Sequence, residues 1–320
     1  MRRLTLIHSF SLLLMALLFS SYTLNEEAIQ ENNSGFLPFA DPFILCYNNV
    51  YYAYGTSSDD GFEVYYSEDL EWWTKYSEML LKKEDSYGDK WFWAPEVYYN
   101  DKTKLFYLYY SANEHICVAT STSPLGPFKQ EVKQPMREEK SIDSSLFVDD
   151  DGTPYLYFVR FTDGNVIWMA ELEDDWSTIK EETLRKCIDV TQDWETKMAK
   201  VIEGPSLLKH NDLYYLIYSA NHYQSPDYGV GVAISNSPRG PWEKYENNPV
   251  LHKPKDSLIG VGHGAYFTDE KGDYKYVFHA HHSTEKIHPR VMYVVDMKFK
   301  GSDLLMDKSS IIKAKVVPQK

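Results

Sequence analysis

Five stretches of the chain repeat one plan at nearly even spacing, and this constrains the fold more than any other feature. Each runs from a polar or charged residue through a short strand and a turn into a tyrosine-rich strand. They are ADPFILCYNNVYYAYGTS from Ala40, APEVYYNDKTKLFYLYYSA from Ala94, IDSSLFVDDDGTPYLYFVR from Ile142, IEGPSLLKHNDLYYLIYSA from Ile202 and GHGAYFTDEKGDYKYVFHAH from Gly262. Their starts lie 54, 48, 60 and 60 residues apart. The turns carry Asn48-Asn49, Asp101-Lys102, Asp151-Gly152, Asn211-Asp212 and Lys271-Gly272, all of hairpin type. Less regular hairpins follow, as at 62–76, 116–130, 166–180 and 230–245. Ser123-Pro124-Leu125-Gly126-Pro127-Phe128 recurs 114 residues later as Ser237-Pro238-Arg239-Gly240-Pro241-Trp242. Helical periodicity is nearly absent, with residues 182–195 the one modest helix candidate. Five units of about four short strands predict an all-β fold, a five-bladed β-propeller. An irregular β-sandwich would not need equal spacing, and no length is spare for a second domain.

The N-terminus reads differently. Arg2 and Arg3 precede an apolar run from Leu4 to Phe19, and Ser20 and Ser21 supply small residues at a cleavage point. This is the pattern of a secretory signal peptide over 1–21, and it predicts export to the periplasm or the medium. The run falls short of the ~20 clean apolar residues of a membrane anchor, so no span is expected in the mature chain. Residues 22–34 read as a flexible lead-in, and 35–320 as the propeller. Cys46, Cys117 and Cys187 are too few and scattered for a disulfide framework or a zinc pattern. Each reads as a small buried hydrophobe, although one pair could bridge. The net charge of −14 argues against a nucleic-acid partner. The 26 tyrosines, 15 phenylalanines and 8 tryptophans suit half-buried strands and also suit stacking on sugar rings.

In a propeller the first strand of each blade lines a central channel and begins at one of its mouths. The residues at or near that position are Asp41, Glu96, Asp143, Glu203 and His263. The repeat therefore gathers acids from distant sequence onto one ring, where like-charge repulsion is costly unless the site uses or pairs them. Two carboxylates facing each other across a sugar suffice for glycoside hydrolysis, one protonating the leaving oxygen and the other activating water or attacking directly. A third can keep the acid's pKa raised and its side chain oriented.

Ala40-Asp41-Pro42, Trp93-Ala94-Pro95-Glu96, Ile142-Asp143-Ser144-Ser145-Leu146-Phe147, Ile202-Glu203-Gly204-Pro205, Gly262-His263-Gly264 and Arg290 together resemble glycoside hydrolase family 43. The resemblance covers essentially the whole mature chain. It implies a five-bladed propeller and an inverting glycosidase acting on arabinose- or xylose-containing polysaccharides. It implies Asp41 as general base, Glu203 as general acid and Asp143 as modulator of the acid's pKa. Arg290 would touch the sugar or steady a carboxylate. His263 would lie in the channel, where relatives often hold a calcium or sodium ion through His and waters; no cofactor is implied for the chemistry. The family commonly has Pro after the modulating Asp, whereas Ser144 stands here. Gly-Phe-Glu-Val at 61–64, Trp-Phe-Trp-Ala-Pro-Glu at 91–96 and His-Pro-Arg at 288–290 point to the arabinofuranosidase branches. A β-xylosidase is the second reading and an endo-arabinanase the third.

Several residues have plainer readings. Asp41-Pro42 alone would be a turn, and Asp143 alone a cap. Glu203 sits on the apolar strand VIEGPSLL, where an acid without a partner is costly. Glu96 reads as structural. Trp91 and Trp93 are candidates for a sugar-binding wall, with one of the two expected to reach the site, while Trp72 and Trp73 read as blade packing. His279, His281 and His282 lack zinc spacing and read as packing or solvated histidines. Asp149-Asp150-Asp151-Gly152 looks like a calcium loop but fits a hairpin turn better. A retaining fructan-cleaving propeller would need Asn-Asp-Pro and Arg-Asp-Pro, which are absent. A non-catalytic carbohydrate-binding propeller would not need three acids at blade starts.

Overall fold

The computed structural model of the chain describes residues 35–318. The leader expected at 1–21 and the lead-in at 22–34 lie outside the described residues. Five antiparallel sheets follow one another along the chain as the blades of a propeller. Blade one comprises Ala40–Tyr47, Val50–Thr56, Val64–Ser67 and Trp72–Lys75. Blade two comprises Trp93–Asn100, Leu105–Ala112 and His115–Ser121, its outer edge completed only by a bridge from Thr120 to Lys129. Blade three comprises Ser141–Val148, Pro154–Phe161, Asn165–Glu171 and Arg185–Ile188. Blade four comprises Ile202–His210, Leu213–Ala220, Gly229–Ser235 and Glu243–Lys244, and blade five Gly262–Thr268, Tyr274–Ala280, Val291–Lys300 and Asp303–Lys313. The helix expected over 182–195 is not formed. Arg185–Ile188 is the outer strand of blade three, flanked by 3-10 turns at Glu181–Thr183 and Asp193–Thr196. The apolar residues of the whole segment, Cys187, Ile188, Val190 and Trp194, pack into the blade three–blade four core instead of lying on one side of a helix.

The core is divided into wedges between neighbouring blades. Separate clusters fill the seams between blades one and two, two and three, three and four, four and five, and five and one. The tyrosine-rich second strands serve these seams twice, because a Tyr buries a ring while its hydroxyl reaches a partner. Tyr54, Tyr109 and Tyr157 hold equivalent positions, opposite Phe43, Glu96 and Ser145. Each donates to a carbonyl in an outer loop of the next blade, at Pro124, Trp176 and Pro238 respectively. Two of these acceptors lie in the duplicated Ser-Pro-x-Gly-Pro loops. The ring closes where Lys315–Val316 adds in parallel to Trp72–Lys75 and Phe36 bridges Lys315. Trp73 is fully buried there, as expected of blade packing. No disulfide links Cys46, Cys117 and Cys187; Cys117 is buried and the other two half-buried.

Every first strand breaks register at the same place, between Ala40 and Phe43, Trp93 and Glu96, Ile142 and Ser145, Glu203 and Ser206, and Gly262 and Ala265. Inside each break one residue has left-handed backbone: Asp41 at φ 50°, Ala94 at 46°, Asp143 at 57°, Gly204 at 56° and His263 at 37°. Such bulges re-aim side chains. For the four non-glycine residues the conformation costs about 1–2 kcal/mol each, so it must be held from outside. At Gly204 a side chain would not fit, since a Cβ would lie 2.8 Å from the His263 ring.

Candidate active site

The bulges open onto a cavity of about 660 Å³ at one mouth of the channel, bordered by Asp41, Asp143, Glu203, His263, Arg290 and Trp93. Three of the four acids anticipated from the repeat, Asp41, Asp143 and Glu203, are thus brought together, and each is held differently.

Asp41 is 8% exposed. Arg290 donates to it twice, Nη1 to Oδ1 at 2.8 Å and Nη2 to Oδ2 at 3.3 Å, and the Thr56 hydroxyl donates to Oδ2 at 2.8 Å. His263 Nδ1 lies 3.3 Å from Oδ1. Burial would raise its pKa, but the Arg290 charge, His263, His279 (Nδ1 3.5 Å from Oδ1) and the Thr56 bond outweigh burial and hold Asp41 well below the usual carboxylate range. Of the two roles foreseen for Arg290, the geometry displays the second, steadying a carboxylate.

Glu203 accepts from the Tyr228 hydroxyl at 2.8 Å and from Asn165 Nδ2 at 3.0 Å. Burial pushes its pKa up to about 7, with the Asp41 charge adding and the Tyr228 and Asn165 bonds opposing. Asp143 is 6% exposed, and its Oδ2 accepts from the Gly204 amide at 3.4 Å. Burial, then the charges of Glu203 and Asp41, raise it well above the ordinary value. One pocket thus presents a carboxylate kept ionised beside two carboxyls biased toward their protonated forms.

Glu96 does not border this cavity. The left-handed residue of blade two is Ala94, so Glu96 falls two positions later, where its carboxyl accepts from the Tyr98 hydroxyl. Burial raises it to about 8. Trp93 lines the cavity, and Trp91 stacks on it from outside with ring centres 5.8 Å apart. Tyr223 and His288 also line the cavity, with the Arg290 guanidinium 4.7 Å above the Tyr223 ring.

His263 has its Nδ1 beside Asp41; burial lowers its pKa and the Asp41 charge opposes that. Among the described residues no three His, Cys, Asp or Glu side chains converge as a metal cage. A calcium or sodium ion here would take one imidazole nitrogen from His263 and complete its shell with water oxygens.

Sequence reasoning missed His279, Thr56, Asn165 and Tyr228. His279, read as packing or solvated, is fully buried, and its Nδ1 accepts the Asp41 amide at 3.1 Å. Its signal was the repeat: LYYSA at 108–112, LIYSA at 216–220 and YVFHA at 276–280 put His279 in register with Ser111 and Ser219. The Asp149–Gly152 run is a hairpin turn, as expected, with the Gly152 amide bonded to the Asp149 carbonyl.

Comparison with known proteins agrees with this architecture. The crystal structure of an endo-1,4-beta-xylanase from Bacteroides thetaiotaomicron superposes with a TM-score of 0.86 at 54% identity, covering 89% of this chain and 99% of that one. A thermostable family-43 glycoside hydrolase superposes with a TM-score of 0.78 at 34% identity, covering 84% and 93%. The beta-D-galactofuranosidase xynD of Aspergillus niger is 29% identical over 265 residues, spanning 75% of this chain and 73% of its own length. The arabinoxylan arabinofuranohydrolase of Bacillus subtilis is 28% identical over 253 residues, 63% of this chain and 48% of its own length. The family model of glycosyl hydrolases family 43 matches residues 35–301, and the chain is a glycosidase belonging to that family.

Proposed function

We propose that this protein is an inverting α-L-arabinofuranosidase that removes arabinose side chains from plant polysaccharide, exported by its leader. Asp41 is the general base: ionised at working pH, it takes a proton from water as the water attacks the anomeric carbon. Glu203 is the general acid and protonates the departing oxygen. Asp143 modulates and orients that acid, its Oδ2 accepting from the amide of Gly204 next to Glu203, and Arg290 orients Asp41. Trp93 offers a face for the sugar ring. The observation that carries the reading is the opposite bias of Asp41 and Glu203 within one pocket, which is the division of labour that acid–base hydrolysis requires. Relatives named for two five-membered-ring sugars, a galactofuranosidase and an arabinofuranohydrolase, support the furanoside choice. Hydrolysis of β-1,4-xylosidic bonds is the second reading, favoured by the 54% identical neighbour named as a xylanase.

The test is hydrolysis of aryl α-L-arabinofuranoside, aryl β-D-xyloside and polymeric xylan by wild type, Asp41→Ala and Glu203→Ala. Each variant should lose about 10²–10⁴-fold in kcat, and NMR of the first-formed sugar should show the inverted anomer. Activity surviving both changes would end the mechanism. Preference for the xyloside or xylan would select the second reading, and polysaccharide binding without cleavage would mark a carbohydrate-binding propeller.

A further inference from the structure

The five left-handed residues are not held by their own blades. The Ala94 amide donates to Thr56 Oγ1 at 3.0 Å, the Asp143 amide to Ser111 Oγ at 3.1 Å, the His263 amide to Ser219 Oγ at 2.7 Å and the Asp41 amide to His279 Nδ1 at 3.1 Å. In every case the acceptor sits near the end of the second strand of the preceding blade. It stands opposite the residue just before that blade's own left-handed position, in the pairs Ala40–Thr56, Trp93–Ser111, Glu203–Ser219 and Gly262–His279. The equivalent pair in blade three is Ile142–Val159. Val159 has no acceptor, and there the Gly204 amide turns to the Asp143 carboxylate at the longer distance of 3.4 Å. The latch thus joins four of the five blade junctions, and its one break coincides with the peptide bond between Glu203 and Gly204.

We propose that Thr56, Ser111, Ser219 and His279 are positioning residues: each fixes the bulge of the next blade and thereby aims the side chains that meet in the pocket. Three observations support this. Left-handed backbone at Asp41, Ala94, Asp143 and His263 persists only where the surroundings over-determine it. Ser111, Ser219 and His279 are fully buried, so water does not replace them as acceptors. Thr56 also donates to Asp41 Oδ2 at 2.8 Å while accepting from the Ala94 amide, which ties the second blade's bulge to the first blade's carboxylate. The inference rests on the hydrolase reading only for its kinetic consequence.

Ser111→Ala, Ser219→Ala and the rescue variant Ser111→Thr test it, the last copying the threonine that blade one carries at the same register, Thr56. Backbone amide exchange of the full chain is followed by NMR, beside kcat and KM on an aryl glycoside well below the melting temperature. In Ser111→Ala the Asp143 amide should exchange at least about tenfold faster, and in Ser219→Ala the His263 amide likewise. Both should lose about tenfold in kcat with KM within about twofold, and Ser111→Thr should recover most of the loss. Val159→Thr should slow exchange at Gly204 by supplying the missing acceptor. Unchanged exchange at Asp143 and His263 overturns the latch whatever the activity. Faster exchange with wild-type kcat overturns the positioning role. Exchange effects in the variants, with a wild type that cleaves no glycoside, keep the latch and remove the hydrolase assignment instead.

Discussion

Tyr228→Phe isolates the control of one proton. Tyr228 is fully buried; its hydroxyl donates to Glu203 Oε1 at 2.8 Å, and its ring stacks on His279 with centres 5.8 Å apart. The substitution keeps the ring and removes only the donor. A hydrogen bond to a carboxylate favours the ionised form, so its loss raises the pKa of Glu203 above the present value of about 7. Bonds to charged groups contribute about 1.5–3 kcal/mol, and at about 1.4 kcal/mol per pKa unit the shift is roughly 1–2 units upward. A general acid works in its protonated form. Activity of the wild type should therefore fall as pH rises through about 7, and in Tyr228→Phe the fall should come at higher pH. The assay is kcat/KM on an aryl arabinofuranoside across the range about pH 4 to 10, which reports ionisations of the free enzyme. The acid side should stay level, because Asp41 remains ionised far below that range. An alkaline limb that stays in place, or moves toward acid, would refute Glu203 as the group whose protonation the limb reports.

Two stability predictions concern buried carboxyl groups away from the pocket. Glu195 is wholly buried, with Lys244 Nζ at 2.6 Å from Oε1, the Tyr218 hydroxyl at 2.8 Å, and the Thr191 and Gln192 amides also donating to it. Lys244→Met leaves that carboxylate without its counter-charge and should destabilise the fold by about 3–5 kcal/mol, read by denaturant unfolding. Glu96, raised by burial from the ordinary 4.5 to about 8, binds a proton in the folded state that the unfolded chain has released. Its contribution therefore falls as pH rises from about 4.5 to 8. Glu96→Gln, which cannot ionise, should melt with a weaker dependence on pH across that window; an unchanged dependence would refute a protonated Glu96.

Much of the architecture is local and was legible for that reason. Alternating apolar residues and hairpin turns such as Asn48-Asn49 and Asn211-Asp212, whose residues all take left-handed backbone, are set by nearest neighbours, and their even spacing implies the ring. The ring in turn implies that Asp41, Asp143 and Glu203 meet. Residues 182–195 misled because an apolar spacing that suits a helix also suits a short edge strand flanked by turns. Glu96 stood among the ring of acids because a bulge displaces register by a residue or two without leaving a sequence mark.

What sequence alone determined was the blade plan, the five seams and the identity of the acids at the channel mouth. Only the tertiary structure decided their protonation: Arg290, far along the chain from Asp41, keeps that carboxylate ionised, while burial, opposed by the bonds from Tyr228 and Asn165, raises Glu203 to about 7. Charge states follow from desolvation and from distances across blade seams. Those distances are set by how strands from different repeats pack, and no spacing along a single strand encodes them.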